Sequence, residues 1–361
     1  MRVVNVRPLI DEVFRSDAAL PDAVDEVKLA YLHNGQGASR WHGSKEVYRA
    51  RAGGRAYMVH VTPNSREQLL HLRDNLRFLE ALDEDRIPRV AAWRDSGPRG
   101  LGQEWAMMVC REIPGAELAP RTFSPGLWAD LSRLLLRVHS LSADAEGIPA
   151  GPRIDHAAAF ADFAECLLLR LEDLPLKPRR VREHLAAIAE YVSAHAGRFA
   201  VTSRAIHGEL NRANLLADGD RAGIIDWMEM AGGDYLYDLA TLKFAMDSVA
   251  PRLSAELLRE QAHTYRARFA DETLELRMRF FLALPGLVHA FEYAGQTALF
   301  PAARAWRVRT CYLHSEAQWR SPLRLDLASA GAPAVRTAHW PDEMPAQVRG
   351  LYYLVAPKRV G

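Results

Sequence analysis

The dominant spacing of apolar residues shifts from strand-like to helical at Gly115, and that shift limits the folds open to this chain. Before Gly115 the pattern is strand-like. VKLAYLHNG is followed by the turn-rich GQGASRWHGS and then by EVYRARAGGRAYMVHV. In the last piece Val47 and Tyr48 lead to Gly53-Gly54 and a second β-rich run, Ala56 to Val61, which predicts a hairpin. IPRVAAWRDSG and EWAMMVCREIPG predict two more strands. The one helix predicted here covers 65–82, with Leu69, Leu72, Leu76, Leu79 and Leu82 on one face and Ser65 with Gln68 as a capping box. After Gly115 the period is helical. Residues 126–142 carry Leu127, Leu131, Leu134, Leu135 and Val138 on one face, and like patterns recur over 156–172, 179–197, 236–247, 252–269 and 273–295. A short β-like insertion interrupts them at 204–228. Strands segregated from helices predict an α+β chain of two lobes, a small β-rich N-lobe and a larger helical C-lobe. The predicted divisions are an amphipathic extension at 1–25, the N-lobe at 26–115, the C-lobe at 116–320 and an unassigned tail at 321–361.

Composition removes whole classes of function. With 49% apolar and 25% charged residues the chain has the make-up of a globular protein. A net charge of +1 gives no field to recruit nucleic acid or an anionic membrane, so neither is expected as a partner. Cys110, Cys166 and Cys311 are far apart and show no CxxC spacing, which argues against a disulfide framework or a zinc site. No 18-residue apolar stretch occurs, and MRVVNVRPLIDEVFRSD meets charge before a signal-peptide core could form. A soluble cytoplasmic protein is expected. Its oligomeric state is not readable.

The chemistry concentrates in IHGELNRANLLADGDRAGIIDWMEMAGGDYLYDLA, residues 206–240. His207-Gly208 with Asn214, then Ile225-Asp226-Trp227, then Gly233-Asp234-Tyr235-Leu236-Tyr237-Asp238-Leu239-Ala240 resembles the aminoglycoside phosphotransferase and choline-kinase-like family, relatives of the protein kinases. The two-lobed order and LLLRVHSL at 134–141 fit too, so the resemblance covers about residues 30 to 315. It implies a protein-kinase-like fold with ATP or GTP as co-substrate and Mg²⁺ as cofactor. Phosphoryl transfer needs an acceptor hydroxyl held in line and metal ions spread over the phosphate charge. Asp226 and the Asn214 amide oxygen are hard donors suited to Mg²⁺. By the resemblance, the carboxylate two residues after His207 accepts the acceptor's proton, while His207 and Asp238 brace the loop and Asp234 supports it. Lone histidines such as His139 read as core or surface residues.

Three positions depart from the family pattern. The catalytic aspartate is Glu209, one methylene longer, which moves the carboxylate by about 1.5 Å unless the backbone compensates. The phosphate-binding lysine of the strand YMVHV is His60, and only Lys28 and Lys45 precede residue 177. Lys45 beside Ser44, or a protonated His60, are the candidate replacements. The helix at 65–82 has no glutamate between Glu67 and Glu80 to pair with a lysine, and Asp74 is the nearest stand-in. The linker Met108-Val109-Cys110-Arg111 is expected to meet a purine through backbone groups.

Three functions follow. The first is transfer of the terminal nucleotide phosphate to a hydroxyl of a small molecule such as an antibiotic, sugar or metabolite. The second is phosphorylation of Ser or Thr in a peptide during ribosomal-peptide natural-product maturation. The third is a kinase-like module that binds nucleotide or peptide without transfer. From Tyr293 onward nine Lys/Arg face four Asp/Glu, including Arg304, Arg307, Arg309, Arg320 and Arg324, which points to a neutral or acidic acceptor over a polycationic one. Glu229, His289 and Glu292 are candidate acceptor-lining residues.

Overall fold

A computed structural model describes residues 6–33, 45–63, 66–96, 105–143, 153–171, 178–295 and 301–320. The chain divides into two compact units. The first holds the described residues up to Gly115 and takes back the segment Gly223–Met228; the second holds Ala116–Ala222 and the described residues from Glu229 onward.

In the first unit, α1 (Val6–Ser16) precedes β1 (Glu26–His33), β2 (Lys45–Ala52), β3 (Arg55–Pro63), α2 (Arg66–Leu79), β4 (Val90–Ser96) and β5 (Trp105–Arg111). The strands form one antiparallel sheet in the order β1-β2-β3-β5-β4. Gly53 and Gly54 join β2 to β3 with φ of 55° and 73°, the two left-handed residues that a tight hairpin turn requires. Tyr48, Ala50, Tyr57, Val59, Val61, Met107 and Val109 share a face that is covered by Val6, Ile10, Val13 and Phe14 of α1. Each such side chain contributes roughly 1.5–3 kcal/mol on leaving water, so α1 is part of this unit's core. Helix α2 packs against β3, β4 and β5 through Leu69, Leu72 and Leu76, which stand outside the α1-side cluster. Ser65, assigned to its capping box, lies outside the described residues.

The second unit contains β6 (Ala116–Glu117), α3 (Pro125–His139), α4 (Phe160–Leu171), α5 (Pro178–Ala194), α6 (Ala196–Phe199), β7 (Arg204–Ile206), β8 (Leu215–Asp218), β9 (Arg221–Ile224), β10 (Ala231–Gly233), α7 (Leu236–Val249), α8 (Ser254–Phe269), α9 (Leu274–Gly295) and α10 (Pro301–Arg320), with the last two residues of β9 grouped in the first unit. Ser124 caps α3 by accepting from Leu127 N at 3.0 Å, ahead of Pro125 in the first turn. Helix α9 is the centre of the helical core, and α10 lies along it. A Cβ on Gly286 of α9 would stand 2.6 Å from the Cys311 carbonyl oxygen of α10, so the two helices touch backbone to backbone there. The small β-rich first unit and helical second unit match the two-lobed, kinase-like fold class. Helix α10 was not among the predicted helices. Its buried residues Val308, Cys311, Tyr312, Ser315 and Trp319 keep helical spacing, but the stripe includes the polar Ser315 and the other face carries the apolar Leu313, which flattens the pattern.

A buried polar knot ties α7 to α8 and α10. Asp247 accepts from Lys243 Nζ at 2.7 and 2.8 Å and from His314 Nε2 at 2.8 Å, with Ser254 Oγ also donating to it. Burial pushes the Asp247 carboxyl up, but the His314 hydrogen bond and the Lys243 charge prevail and hold it down at about 2. A carboxyl lowered on folding stabilises the native state above its unfolded pKa of about 3.9 and loses that contribution as pH falls towards the folded value. The stability gap between the native chain and Asp247→Asn is therefore expected to be full above pH about 4 and to shrink towards pH about 2. Urea melts across that range measure it, and a gap independent of pH would contradict it.

Candidate active site

The loop after β7 is built by hydrogen bonds from residues that come later in the chain. Antiparallel pairing of β7 with β10 sets Ile206 against Ala231 and delivers His207 to the end of the strand. Asp238, fully buried in the first turn of α7, accepts from His207 N at 2.7 Å and Gly208 N at 3.0 Å. His139 Nε2 donates to the same carboxylate at 2.9 Å, and its Nδ1 accepts from the Tyr265 hydroxyl at 2.7 Å. Burial raises the Asp238 carboxyl, but the hydrogen bond from His139 and the contacts with His207 leave it below its ordinary value. Asp238 thus stays an anion that braces the loop. His139, a core histidine, is part of that brace.

Hydrogen bonds also run within the loop itself. His207 Nδ1 accepts from Glu209 N at 3.1 Å. The Asn211 oxygen accepts from Ala213 N at 2.8 Å and Asn214 N at 3.2 Å, capping a 3-10 turn at Arg212–Asn214. Asn211 Nδ2 donates to Glu209 Oε1 at 3.2 Å, and Asn214 Nδ2 donates to the Glu209 carbonyl at 2.9 Å. That last bond engages the Asn214 nitrogen, and the remaining amide oxygen is a hard donor of the type magnesium takes. Gly208 has φ of 85°, and a Cβ there would stand 2.3 Å from the Glu229 carbonyl oxygen. Gly208→Ala must therefore push Glu209 out of place. A loss of about 10²-fold or more in activity, with the melting temperature less affected, is the expected result; activity equal to the native chain would contradict it.

The Tyr237 phenol feels burial and several negative charges. Burial raises the Tyr237 hydroxyl well above its ordinary value, and the charges of Glu292, Asp238, Glu209 and Glu229 raise it further, so it remains a protonated donor. His156 stacks on the Tyr237 ring at 4.3 Å, and burial lowers its imidazole to about 4, leaving it neutral. His289 Nδ1 lies 2.9 Å from Glu292 Oε2, and its ring stacks on Phe244 at 4.9 Å. Asp234 accepts from Leu236 N at 3.0 Å and from the buried Arg277, which also bonds Asp271, so it fastens α7 to α9.

The first unit holds the other candidate residues. Asp226 has φ of 60°, a left-handed conformation rare for a non-glycine residue. His60 on β3 is half-buried, in register with Val47 and Met108. Val109 is fully buried, its side chain in the core under α1. Lys45 begins β2 opposite His33; its side chain and all of Ser44 lie outside the described residues.

Comparison with known proteins bears on the family and the fold. The profile described as the phosphotransferase enzyme family matches residues 40–281. The chain belongs to this family. Among solved structures, a thermostable aminoglycoside phosphotransferase APH(4)-Ia in ternary complex with ADP and hygromycin B is similar at TM-score 0.56 and 16% identity, over 88% of this chain and 98% of that one. ADP-bound aminoglycoside phosphotransferase APH(2'')-Ib is similar at 0.56 and 17%, over 87% and 99%. Choline kinase LicA from Streptococcus pneumoniae is similar at 0.50 and 14%, over 86% and 99%. At these identities the likeness is one of fold. No curated protein matches.

Two expectations for this phosphotransferase-family chain need correction. Val109 is not in a linker: β5 is an inner strand, and Val109 stands in register between Val59 and Ala92, so its backbone belongs to the sheet. The chain leaves the sheet only after Arg111. Asp74 does not stand in for the family's helix glutamate, because it pairs with Arg73 at 2.7 Å and is partly exposed, while Gln68, His71 and Asn75 form the buried polar side of α2. Sequence reading also passed over Asn211, Tyr237 and His156. Tyr237 lay inside the Gly233–Ala240 match, where its ring could have been marked; His156 carried no motif. Among the described residues, no helix is long and apolar enough to cross a membrane.

Proposed function

We propose that this chain transfers the terminal phosphate of Mg-ATP or Mg-GTP to a hydroxyl of a small molecule. The observation that supports the reading is the brace of Asp238 on His207 and Gly208, with Asn214 gripping the Glu209 carbonyl, which fixes the loop that carries the Glu209 carboxylate and the Asn214 amide. Glu209 takes the acceptor's proton. Asn214 and Asp226 supply the oxygen donors for magnesium, which neutralises phosphate charge when bound. His60 and Lys45 are the cations assigned to the nucleotide phosphates.

The sign of charge near Tyr237 favours an acceptor that carries an amine beside its hydroxyl. Among the arginines that point instead to a neutral or acidic acceptor, Arg320 pairs with Glu316 at 2.8 Å and Arg307 lies 5.0 Å over the Tyr293 ring. Glu209, Glu229 and Glu292 set the opposite sign around the phenol. The test is phosphate incorporation from γ-labelled ATP and GTP into amino-alcohols and aminoglycosides, neutral sugars, hydroxy-acids and Ser/Thr peptides. Labelling of an amine-bearing acceptor supports the reading. Labelling confined to peptides favours the peptide kinase, and nucleotide binding with no labelling favours the non-transferring module, which His60 in the lysine position also fits.

A further inference from the structure

Helix α2 buries three polar side chains along one stripe, Gln68, His71 and Asn75, where a family member is expected to place a charged partner for its lysine. Asn75 is fully buried. Its Nδ2 donates to the Trp227 carbonyl at 2.9 Å and lies 3.3 Å from His71 Nε2. A carbonyl only accepts, so the amide nitrogen must face Trp227. Trp227 directly follows Asp226, and the same short segment is tied at two further points. Ile224 N donates to the Arg86 carbonyl at 3.1 Å, and the Trp227 indole donates to the Ile224 carbonyl at 3.0 Å. Asp226 sits between these ties with φ of 60°. Such a residue keeps a left-handed conformation, at a cost on the order of 1–3 kcal/mol, only where its surroundings fix it.

We propose that Asn75 is a positioning residue for Asp226: its hydrogen bond to the Trp227 carbonyl latches the metal-binding segment to α2. The latch is neutral, and it couples α2 to the segment without the glutamate that this helix lacks. The inference rests on the reading of Asp226 as a magnesium ligand. A lost latch therefore weakens what depends on Asp226 and spares nucleotide contacts made without metal.

The test compares ATP affinity in Mg²⁺ with ATP affinity in EDTA for the native chain, Asn75→Asp and Asn75→Ala. Asn75→Asp keeps size and turns a donor into an acceptor facing the carbonyl; Asn75→Ala simply removes the bond. The expected result is a fall of about tenfold in the tightening that Mg²⁺ produces, with affinity in EDTA within about twofold, and faster amide exchange confined to 223–230 in Asn75→Ala. Equal losses with and without Mg²⁺, an unchanged Mg²⁺ effect, or failure of both variants to fold would each overturn the latch, the last by making Asn75 an ordinary core residue. A native chain that shows no Mg²⁺-dependent ATP binding overturns the proposed function itself, and the latch with it.

Discussion

Glu209→Gln is expected to bind Mg-ATP as the native chain does and to transfer phosphate about 10²- to 10⁴-fold more slowly. Glutamine keeps the length of the side chain, and its amide oxygen still accepts from Asn211 Nδ2, the partner of Oε1 at 3.2 Å. The bond from Asn214 to the residue 209 carbonyl involves only backbone on that side, so the amide oxygen assigned to magnesium stays in place. What disappears is the basic oxygen. Restoring the family's shorter residue, Glu209→Asp, separates placement from basicity. It keeps the base and withdraws it by about 1.5 Å, so a rate between those of the native chain and the glutamine variant is expected. Single-turnover transfer measures both. Native-like rates in Glu209→Gln would remove Glu209 as the base.

The second large effect is structural. Asp238→Ala strips a buried carboxylate from two backbone amides and from His139, at 2.7, 3.0 and 2.9 Å. Each partner is left without its acceptor in a dry interior, and breaking such a buried, charge-assisted cluster costs about 3–5 kcal/mol. The loop carrying Glu209 loses its anchor in the same step, so activity is expected to fall even in the molecules that remain folded. Urea unfolding gives the stability change, and turnover well below saturating denaturant gives the activity. A loss under about 1 kcal/mol would mean that the loop is held by other contacts.

The parts of this molecule that sequence reveals are those written in local spacing. The hairpin at Gly53-Gly54 and the helices after Gly115 repeat one period over many residues, and the 206–240 block fixes residue types at set intervals, so each could be read without tertiary contacts. The parts that were hidden depend on which way a side chain turns. Asp74 and Asn75 are neighbours on α2, about 100° apart around the helix, and charge favoured the wrong one; only packing puts Asn75 inside. The run EWAMMVCREIPG reads as a strand through Val109, but nothing local shows that this strand has a partner on each side up to its end, which is what commits the Val109 backbone to the sheet. The influence of Glu209, Glu229 and Glu292 on Tyr237 joins residues from three separate stretches of chain, which a regional count of charges does not reveal.

The central claim, that this family member works on a metal-bound nucleotide, is tested most directly by calorimetric titration of ATP and GTP into the native chain and Asp226→Ala, with and without Mg²⁺. The account predicts that Mg²⁺ tightens nucleotide binding to the native chain and has no such effect on Asp226→Ala. No binding to the native chain at millimolar nucleotide, or the same Mg²⁺ effect in both proteins, would contradict it.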